Sequence, residues 1–214
     1  MAIEQRSLVD LAVTEIQRLI YIGTYKPGDK LVEEQLGDEL GISRPPLREA
    51  LRELAQRGIV EQLPRRGSRV VSLSAQEVAE IYSLRGVLER FAVTSSLPSP
   101  NRQSIESMWN ALADMTKAAA NNDHGGIVRS NRDFHVALVS MADHSLLLKT
   151  YVGLMDKMQL CMSDNLRLET TASGDYEVGV RRHQSLLDAI EGGDLDQILA
   201  ALDSHGERQL LSAE

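Results

Sequence analysis

Apolar residues recur at the spacing of amphipathic helices along most of the chain. In the N-terminal third the pattern predicts helices over about 7–22, 33–40 and 43–57. Gly41 suits the left-handed position after the second helix, and Ser43 can cap the third. Two short helices so closely spaced are typical of a helix–turn–helix.

Two short extended segments follow these helices. "IVEQL" at 59–63 and "SRVVSL" at 68–73 are rich in β-branched residues, and "PRRG" separates them. The pattern predicts a β-hairpin with a basic tip.

A second domain is predicted to begin at Ser74, which with Glu77 forms a capping box. Apolar residues then repeat at helical spacing and predict a buried face; they are Val78, Ile81, Leu84, Leu88 and Phe91. Five more helices are predicted, at about 101–120, 127–142, 145–168, 176–192 and 194–211. We therefore expect a helix–turn–helix domain with a β-hairpin over 1–73 and an antiparallel bundle of about six helices over 74–214.

Composition agrees with a mostly α protein. Aromatic residues make up only 4% of the chain, and β-branched residues seldom cluster. The single cysteine, Cys161, cannot form an intrachain disulfide, which favours a reducing compartment and hence the cytoplasm. The early apolar stretch "LVDLAVTEIQRLIYIG" is too short and too polar for a signal or membrane segment.

Charge is unevenly distributed along the chain. The net charge is −8, and residues 75–214 supply all of the acidic excess. Residues 43–69, in contrast, carry seven arginines against three glutamates. A basic patch on an acidic protein points to a polyanionic partner for the N-terminal domain.

The basic patch lies on one face of the third predicted helix. Leu47, Ala50, Leu51 and Leu54 form the expected buried stripe, which leaves Arg44, Arg48 and Arg52 in an exposed row. Such a row suits the major groove of DNA, where guanidinium groups pair with guanine edges or phosphates. A solvated helix with Arg–Glu pairs is the alternative interpretation of the same pattern.

The flanks of this helix fit the same interpretation. Pro45 and Pro46 stiffen its first turn without breaking it, because those positions lack intrahelical hydrogen-bond partners for their nitrogens. Arg65 and Arg66, at the tip of the predicted hairpin, could reach the DNA backbone or minor groove.

Several polar residues of the second domain lie on helix faces that the apolar repeat predicts to be buried. Asn131 and His135 are four residues apart on one helix, and His183, His205 and Arg85 lie on others. Imidazoles that converge from three helices would suit a divalent ion such as Zn²⁺ or Ni²⁺. The alternative is that each is an ordinary hydrogen-bonded histidine.

The N-terminal sequence resembles the winged helix–turn–helix of the GntR superfamily of bacterial transcription regulators. The resemblance rests on "YKPGDKLVEEQLGDELGISRPPLREALRELAQRGIVEQLPRRGSRV". It implies that five residues lie at the DNA groove, namely Ser43, Arg44, Pro45, Pro46 and Arg48. It also implies that Arg66 and Gly67 shape the wing. Pro45 stands where the family commonly has threonine, and Val32 where a capping serine is common, so the operator preference is open.

The second half resembles the all-helical FCD effector domain of FadR-type members of that superfamily. The motifs are "LRGVLE", "NRDFHVAL", "RRHQSLLDAIEGGD" and "ALDSH", in family order. The resemblance implies a divalent metal held by Asn131, His135, His183 and His205. The neutral amide of Asn131 would leave more positive charge at the metal than an aspartate, which favours an anionic effector.

Arg85 would face the same cavity and offer a bidentate partner to a carboxylate. Met155, Met158, Cys161, Met162 and Asn165 fall near one face of the fourth helix of this domain. They form either a simple core stripe or an adaptable wall of the effector pocket, with Met158, Met162 and Asn165 in contact with the effector.

The sequence thus predicts a homodimeric transcription regulator, in the usual family manner a repressor, which binds a palindromic operator and responds to a small organic acid. No enzymatic activity is expected. A metal-dependent hydrolase is the alternative from another class, and it lacks an evident buried carboxylate to act as general base. A regulator with a purely structural metal is the third interpretation.

Overall fold

The chain divides into two compact units, Met1–Leu73 and Ser74–Glu214. The structure is a computed structural model that describes residues 7–97, 99–172 and 176–206, with the backbone alone over 162–172.

The first unit combines three helices with a small antiparallel sheet. Its elements in chain order are α1 (Leu8–Tyr21), β1 (Lys30–Leu31), α2 (Glu33–Leu40), α3 (Arg44–Gln56), β2 (Val60–Leu63) and β3 (Gly67–Val70). The hairpin of β2 and β3 is present as predicted, while β1, which was not predicted, adds a third strand in the order β1-β3-β2. Two residues of extended backbone are too few to produce an alternating pattern in the sequence.

Short-range chemistry accounts for the helix–turn–helix. Gly41 ends α2 with φ of 64°, in the left-handed region that glycine adopts without strain. Ser43 stands at the N-cap of α3, but its side chain makes no capping hydrogen bond. That part of the prediction is wrong, because Pro45 and Pro46, the second and third residues of α3, both lack the backbone N–H that an N-cap side chain accepts from.

The second unit is all-helical within the described residues. Its helices are α4 (Ala75–Ser96), α5 (Arg102–Ala120), α6 (His124–Ser140), α7 (Ser145–Ala172), α8 (Tyr176–Gly192) and α9 (Leu195–Gly206). The capping box of Ser74 and Glu77 is present at the start of α4. The predicted mostly α fold is confirmed, and no helix in the described ranges is long and apolar enough to cross a membrane.

The buried face of α4 differs from the predicted one. Ile81 is buried as expected, but Leu84 and Phe91 are 45% and 50% exposed. Arg85 is buried as expected, and Glu89, which was not predicted, is buried beside it. Apolar residues such as Ile81 and Val93 share this buried face with the two charged side chains, while further apolar side chains lie on the outer surface of the helix.

Candidate functional site

The exposed face of α3 carries the predicted arginine row. Arg44, Arg48 and Arg52 are all exposed. The opposite face is buried as predicted, through Leu47, Ala50, Leu51 and Leu54. The three guanidinium groups therefore project from one side of a helix that is fixed from behind by its core packing.

Arg48 has a partner that sequence reasoning missed. Its Nε donates to Oε2 of Glu33, the first residue of α2, over 2.8 Å. Both side chains are partly exposed, so the pair adds little stability, but it orients the guanidinium. Fifteen residues separate the two along the chain, and no local pattern connects them.

The remaining residues predicted at this surface lie at its edges. Ser43 and Pro45 are exposed at the start of α3, and Pro46 is half-buried. The turn between β2 and β3 exposes Arg65, Arg66 and Gly67. Arg65 and Gly67 both adopt positive φ, of 61° and 84°, which tightens this turn and leaves its basic side chains in solvent.

In the second unit, three helices bring the predicted polar residues together. Asn131 and His135 come from α6, His183 from α8 and His205 from α9, and all four are buried. One ring nitrogen from each of the three histidines lies within 4.8 Å of the others. The residues that were predicted to converge are therefore close together in the fold.

Hydrogen bonding fixes which nitrogen of His183 carries the proton. Its Nδ1 lies 2.7 Å from the backbone oxygen of Gly179, which can only accept a hydrogen bond. In the neutral ring Nε2 then bears a lone pair, and it lies 2.9 Å from Oδ1 of Asn131, a second acceptor. Two acceptors at this distance repel each other unless a cation binds both or the amide turns its nitrogen to the ring.

The spacing of the nitrogen atoms fits a metal ion. Nε2 of His135 and Nε2 of His205 are 3.1 Å apart. Two nitrogens bound to one ion at about 2.05 Å are about 3.4 Å apart in tetrahedral and about 2.9 Å apart in octahedral geometry. The observed separation of this pair lies between these values, so His135 and His205 suit a small divalent ion once the guanidinium of Arg85, 2.8 Å from Nε2 of His135, moves aside.

Burial keeps the three rings in the neutral form that a metal requires. Desolvation lowers the pKa of His135, and the neighbouring Arg85 guanidinium lowers it further. Desolvation, followed by the neighbouring imidazoles, holds the pKa of His183 and of His205 well below the usual range. His205 also has a buried Nδ1 with no hydrogen-bond partner among the described residues.

Arg85 lies beside the cluster, as predicted, but it is not a free cation. Its Nε donates to Oε1 of Glu89 over 2.8 Å, and its Nη2 lies 2.8 Å from Nε2 of His135. Oε1 of Glu89 also accepts a hydrogen bond from Tyr151 and lies 3.0 Å from Nδ1 of His135. Arg85 and Glu89 are thus a buried ion pair in contact with a histidine of the cluster.

Glu89 corrects the expectation that no buried carboxylate lies beside these histidines. Burial opposes its charge, but the Arg85 cation and the donors around it hold the pKa of Glu89 well below its usual range. Its position four residues after Arg85 was the available signal, because that spacing places two side chains on one helix face. No comparable signal indicated Tyr151.

The predicted effector residues of α7 are only partly placed. Met158 is fully buried. The side chains of Met162 and Asn165 lie outside the described residues. Gln159, which was not predicted, is also buried, and its Oε1 has no hydrogen-bond partner in the described part of the chain.

Two family models match the chain. The model for bacterial regulatory proteins of the gntR family matches residues 8–70, and the FCD domain model matches residues 80–208. Among curated relatives, the gluconate operon transcriptional repressor of Bacillus licheniformis is 30% identical over 191 residues, which are 88% of this chain and 77% of the relative. A probable D-xylose utilization operon transcriptional repressor of Paenarthrobacter nicotinovorans is 27% identical over 199 residues, which are 92% of this chain and 82% of the relative.

Solved structures agree on the fold. A structure described as a transcriptional regulator GntR from Rhodococcus sp. RHA1 has a TM-score of 0.81 at 22% identity, and it covers 98% of this chain and 100% of that one. McbR/YncC of E. coli has a TM-score of 0.77 at 21% identity, with 97% of both chains covered. The chain therefore belongs to the GntR family of bacterial transcription regulators, with an FCD domain as its second half, and this is a family of regulators and not of enzymes.

Proposed function

We propose that the protein is a repressor that binds a palindromic operator as a homodimer and responds to a small organic acid bound at a metal centre in its helical unit. The observation that carries this proposal is the buried cluster of three neutral imidazoles and one amide, brought together by α6, α8 and α9. Neutral imidazoles and an amide oxygen that converge from separate helices are donor types of a divalent metal site, which supports this proposal.

The DNA-binding part of the proposal is supported by α3. Its exposed face carries Arg44, Arg48 and Arg52, and the basic turn after β2 adds Arg65 and Arg66. Such groups contact phosphates for affinity and guanine edges for specificity. We propose that Ser43, Pro45, Pro46 and Gly67, which lie at the edges of this surface, shape it.

The charge of the cluster favours an anionic effector. His135, His183, His205 and Asn131 would hold the ion as neutral ligands, and Arg85 and Glu89 neutralise each other. A divalent ion, Zn²⁺ or Ni²⁺ by ligand type, would supply Lewis acidity and open coordination positions for a carboxylate. The two positive charges of the ion would remain uncompensated until an acid binds. Arg85 lies close enough to the cluster to donate hydrogen bonds to the carboxylate of that acid.

The class of acid is narrowed by the relatives. One is named for a gluconate operon and another for a D-xylose utilization operon. We therefore expect hydroxylated acids derived from sugars among the effectors. The oxygen of Gln159 is a buried acceptor that a hydroxyl could satisfy, and Met158 is a flexible neighbour on the same helix.

The homodimer is supported by the outer face of α4. Leu84, Val87 and Phe91 are exposed at spacings of three and four residues, and Leu146 near the start of α7 is 67% exposed. The ring of Phe91 contacts the ring of His144, two residues before Leu146, so these side chains belong to one apolar surface. A surface of this kind on a DNA-binding protein fits a symmetric partner of the same sequence.

The experiment is a thermal-shift screen of the purified, metal-quantified protein against small carboxylic acids and sugar acids, with and without a chelator. We expect a hit that raises the melting temperature by several degrees and disappears on chelation, because a ligand stabilises the state that it binds. If chelation alone unfolds the second unit and no acid changes the melting temperature, the metal is structural and the proposal of acid sensing is wrong.

A double variant, His135→Ala/His183→Ala, provides the matched test of the ligands. It should lose stoichiometric metal, while His144→Ala, which removes an exposed imidazole of the same unit, should retain it. Full metal content in the double variant would exclude the cluster as the binding site.

A further inference from the structure

We propose that Glu89 is the positioning residue of the metal centre: its carboxylate holds His135 in the tautomer that leaves the lone pair on Nε2, and it holds Arg85 beside that ligand. The inference rests on the proposed function and extends it to a residue that does not itself face the ion.

The first step concerns the proton of His135. Oε1 of Glu89 lies 3.0 Å from Nδ1 of His135, and a carboxylate can only accept a hydrogen bond. Nδ1 must therefore carry the ring proton and donate it. In a histidine the hydrogen bond at one nitrogen decides the state of the other, so Nε2 is left unprotonated.

The second step concerns the direction of the lone pair. Nε2 of His135 lies 3.1 Å from Nε2 of His205 and 2.8 Å from Nη2 of Arg85, so its lone pair lies at the edge of the cluster and accepts a hydrogen bond from Arg85 in the metal-free protein. The opposite tautomer would place a hydrogen atom there and would block a ligand position. A carboxylate behind the ring also raises the basicity of the coordinating nitrogen, which strengthens a bond to a metal.

The third step concerns Arg85. Its Nη2 lies 2.8 Å from Nε2 of His135, the atom that would bind the ion, and its guanidinium is almost fully buried. Without an anion this cation would oppose metal binding by direct repulsion. Glu89 neutralises it through the 2.8 Å bond to Nε, so the positive guanidinium can remain next to the cluster.

The fourth step concerns the rigidity of Glu89 itself. Its Oε1 accepts hydrogen bonds from Arg85 of α4, His135 of α6 and Tyr151 of α7. Donors from three helices hold one oxygen, so the carboxylate cannot rotate away without breaking contacts to each of them. The geometry of His135 is thereby tied to the packing of α4 and α7.

The test compares Glu89→Gln with the double variant Arg85→Met/Glu89→Met and with Glu80→Gln, an exposed glutamate of the same helix. Affinity for Zn²⁺ is measured by competition with a chromophoric chelator, and ¹⁵N NMR of labelled histidine reports the tautomer of His135 in the metal-free protein. We expect both Glu89 variants to bind Zn²⁺ about 10- to 100-fold more weakly, as is typical of such positioning residues. The Glu80 variant should match the wild type.

The double variant separates positioning from charge balance. It removes the ion pair as a whole, so no buried charge is left unpaired. The double variant should therefore fold even if Glu89→Gln alone does not. Weak binding in the double variant, together with loss of the Nδ1–H tautomer of His135, would support the inference. Wild-type affinity and tautomer in the double variant would overturn it, since Glu89 would then act only as the counter-ion of Arg85.

Failure of the proposed function gives a different result. A wild-type protein that binds no divalent metal would refute the metal centre altogether. A wild type that binds the metal while both Glu89 variants bind it equally well would refute only the role of Glu89.

Discussion

At the scale of single residues, the second unit buries an unusual amount of ionisable chemistry. Three imidazoles, one guanidinium and one carboxylate are within a few ångströms of each other and are almost inaccessible to water. The cost of desolvation is limited because the imidazoles are neutral and the two charged groups face each other. The arrangement is stable only while those protonation states are kept.

A pH dependence follows for the metal-free protein. The pKa of His205 is lowered by burial and by the nearby imidazoles, while in the unfolded chain it returns to about 6.5. Protons therefore bind the unfolded state more readily, and stability that is present above about pH 6.5 is lost as the pH falls, by up to about 1.4 kcal/mol per pH unit for each such histidine. Thermal melts between about pH 7.5 and about pH 5.5 should show a falling melting temperature.

Two variants test the origin of this effect. His205→Gln removes one buried imidazole, at the position whose Nδ1 lacks a hydrogen-bond partner in the described chain, and should make the decrease shallower. His144→Asn removes an exposed imidazole and should leave the slope as it is in the wild type. An equal slope in all three proteins would show that other groups cause the loss.

The residues of the buried cluster could be predicted because each has a recognisable type and lies at a family motif. Asn131 and His135 are four residues apart, and their co-location follows from helix geometry alone. Glu89 also lies at such a motif, as the last residue of "LRGVLE", but its contacts with His135 and Tyr151 could not be predicted, because they depend on how α4, α6 and α7 pack. Side chains that act through another residue leave a weaker mark in a sequence than side chains that bind directly.

At the scale of elements, α3 is the simplest case. Its buried stripe and its exposed arginine row were both predicted, because a two-faced helix with a 3.6-residue period records its burial in its sequence. The capping role of Ser43 was not confirmed.

The exposed row gives a prediction for DNA binding. Arg48→Ala should raise the operator dissociation constant about tenfold, near 1.4 kcal/mol, and should reduce the slope of log affinity against log salt by about 1 if the contact is to phosphate. Fluorescence anisotropy with an operator duplex at several salt concentrations measures both quantities. Arg18→Ala, which removes an exposed arginine of α1, is the control, and equal affinity of the two variants would contradict the groove assignment.

Helix α4 shows where periodicity misleads. The apolar repeat predicted that Leu84 and Phe91 would be buried, but the structure exposes them and buries Arg85 and Glu89. The pattern located the helix correctly, and Ile81 and Arg85 are buried as expected, but it extended the buried face to two side chains that lie on the outer surface. An apolar stripe shows that a face avoids water; it does not distinguish the core of one chain from a surface that meets another chain.

At the scale of the whole molecule, the outer face of α4 predicts the oligomeric state. Val87→Glu places a charge in the centre of the proposed contact and should convert a dimer to a monomer of 23.7 kDa, because an unpaired buried charge is costly. Light scattering coupled to size-exclusion chromatography measures the mass. Val32→Glu alters an exposed valine of the first unit and should leave the dimer intact; a dimeric Val87→Glu protein would place the interface elsewhere.

Helix α4 therefore contributes to two proposed sites. Its inner face carries Arg85 and Glu89, and its outer face, nearly opposite, carries Leu84, Val87 and Phe91. A genetic selection for strains that no longer respond to the inducer would then yield two classes of mutation along the same 22-residue segment. One class would destroy ligand recognition, and the other would uncouple recognition from assembly.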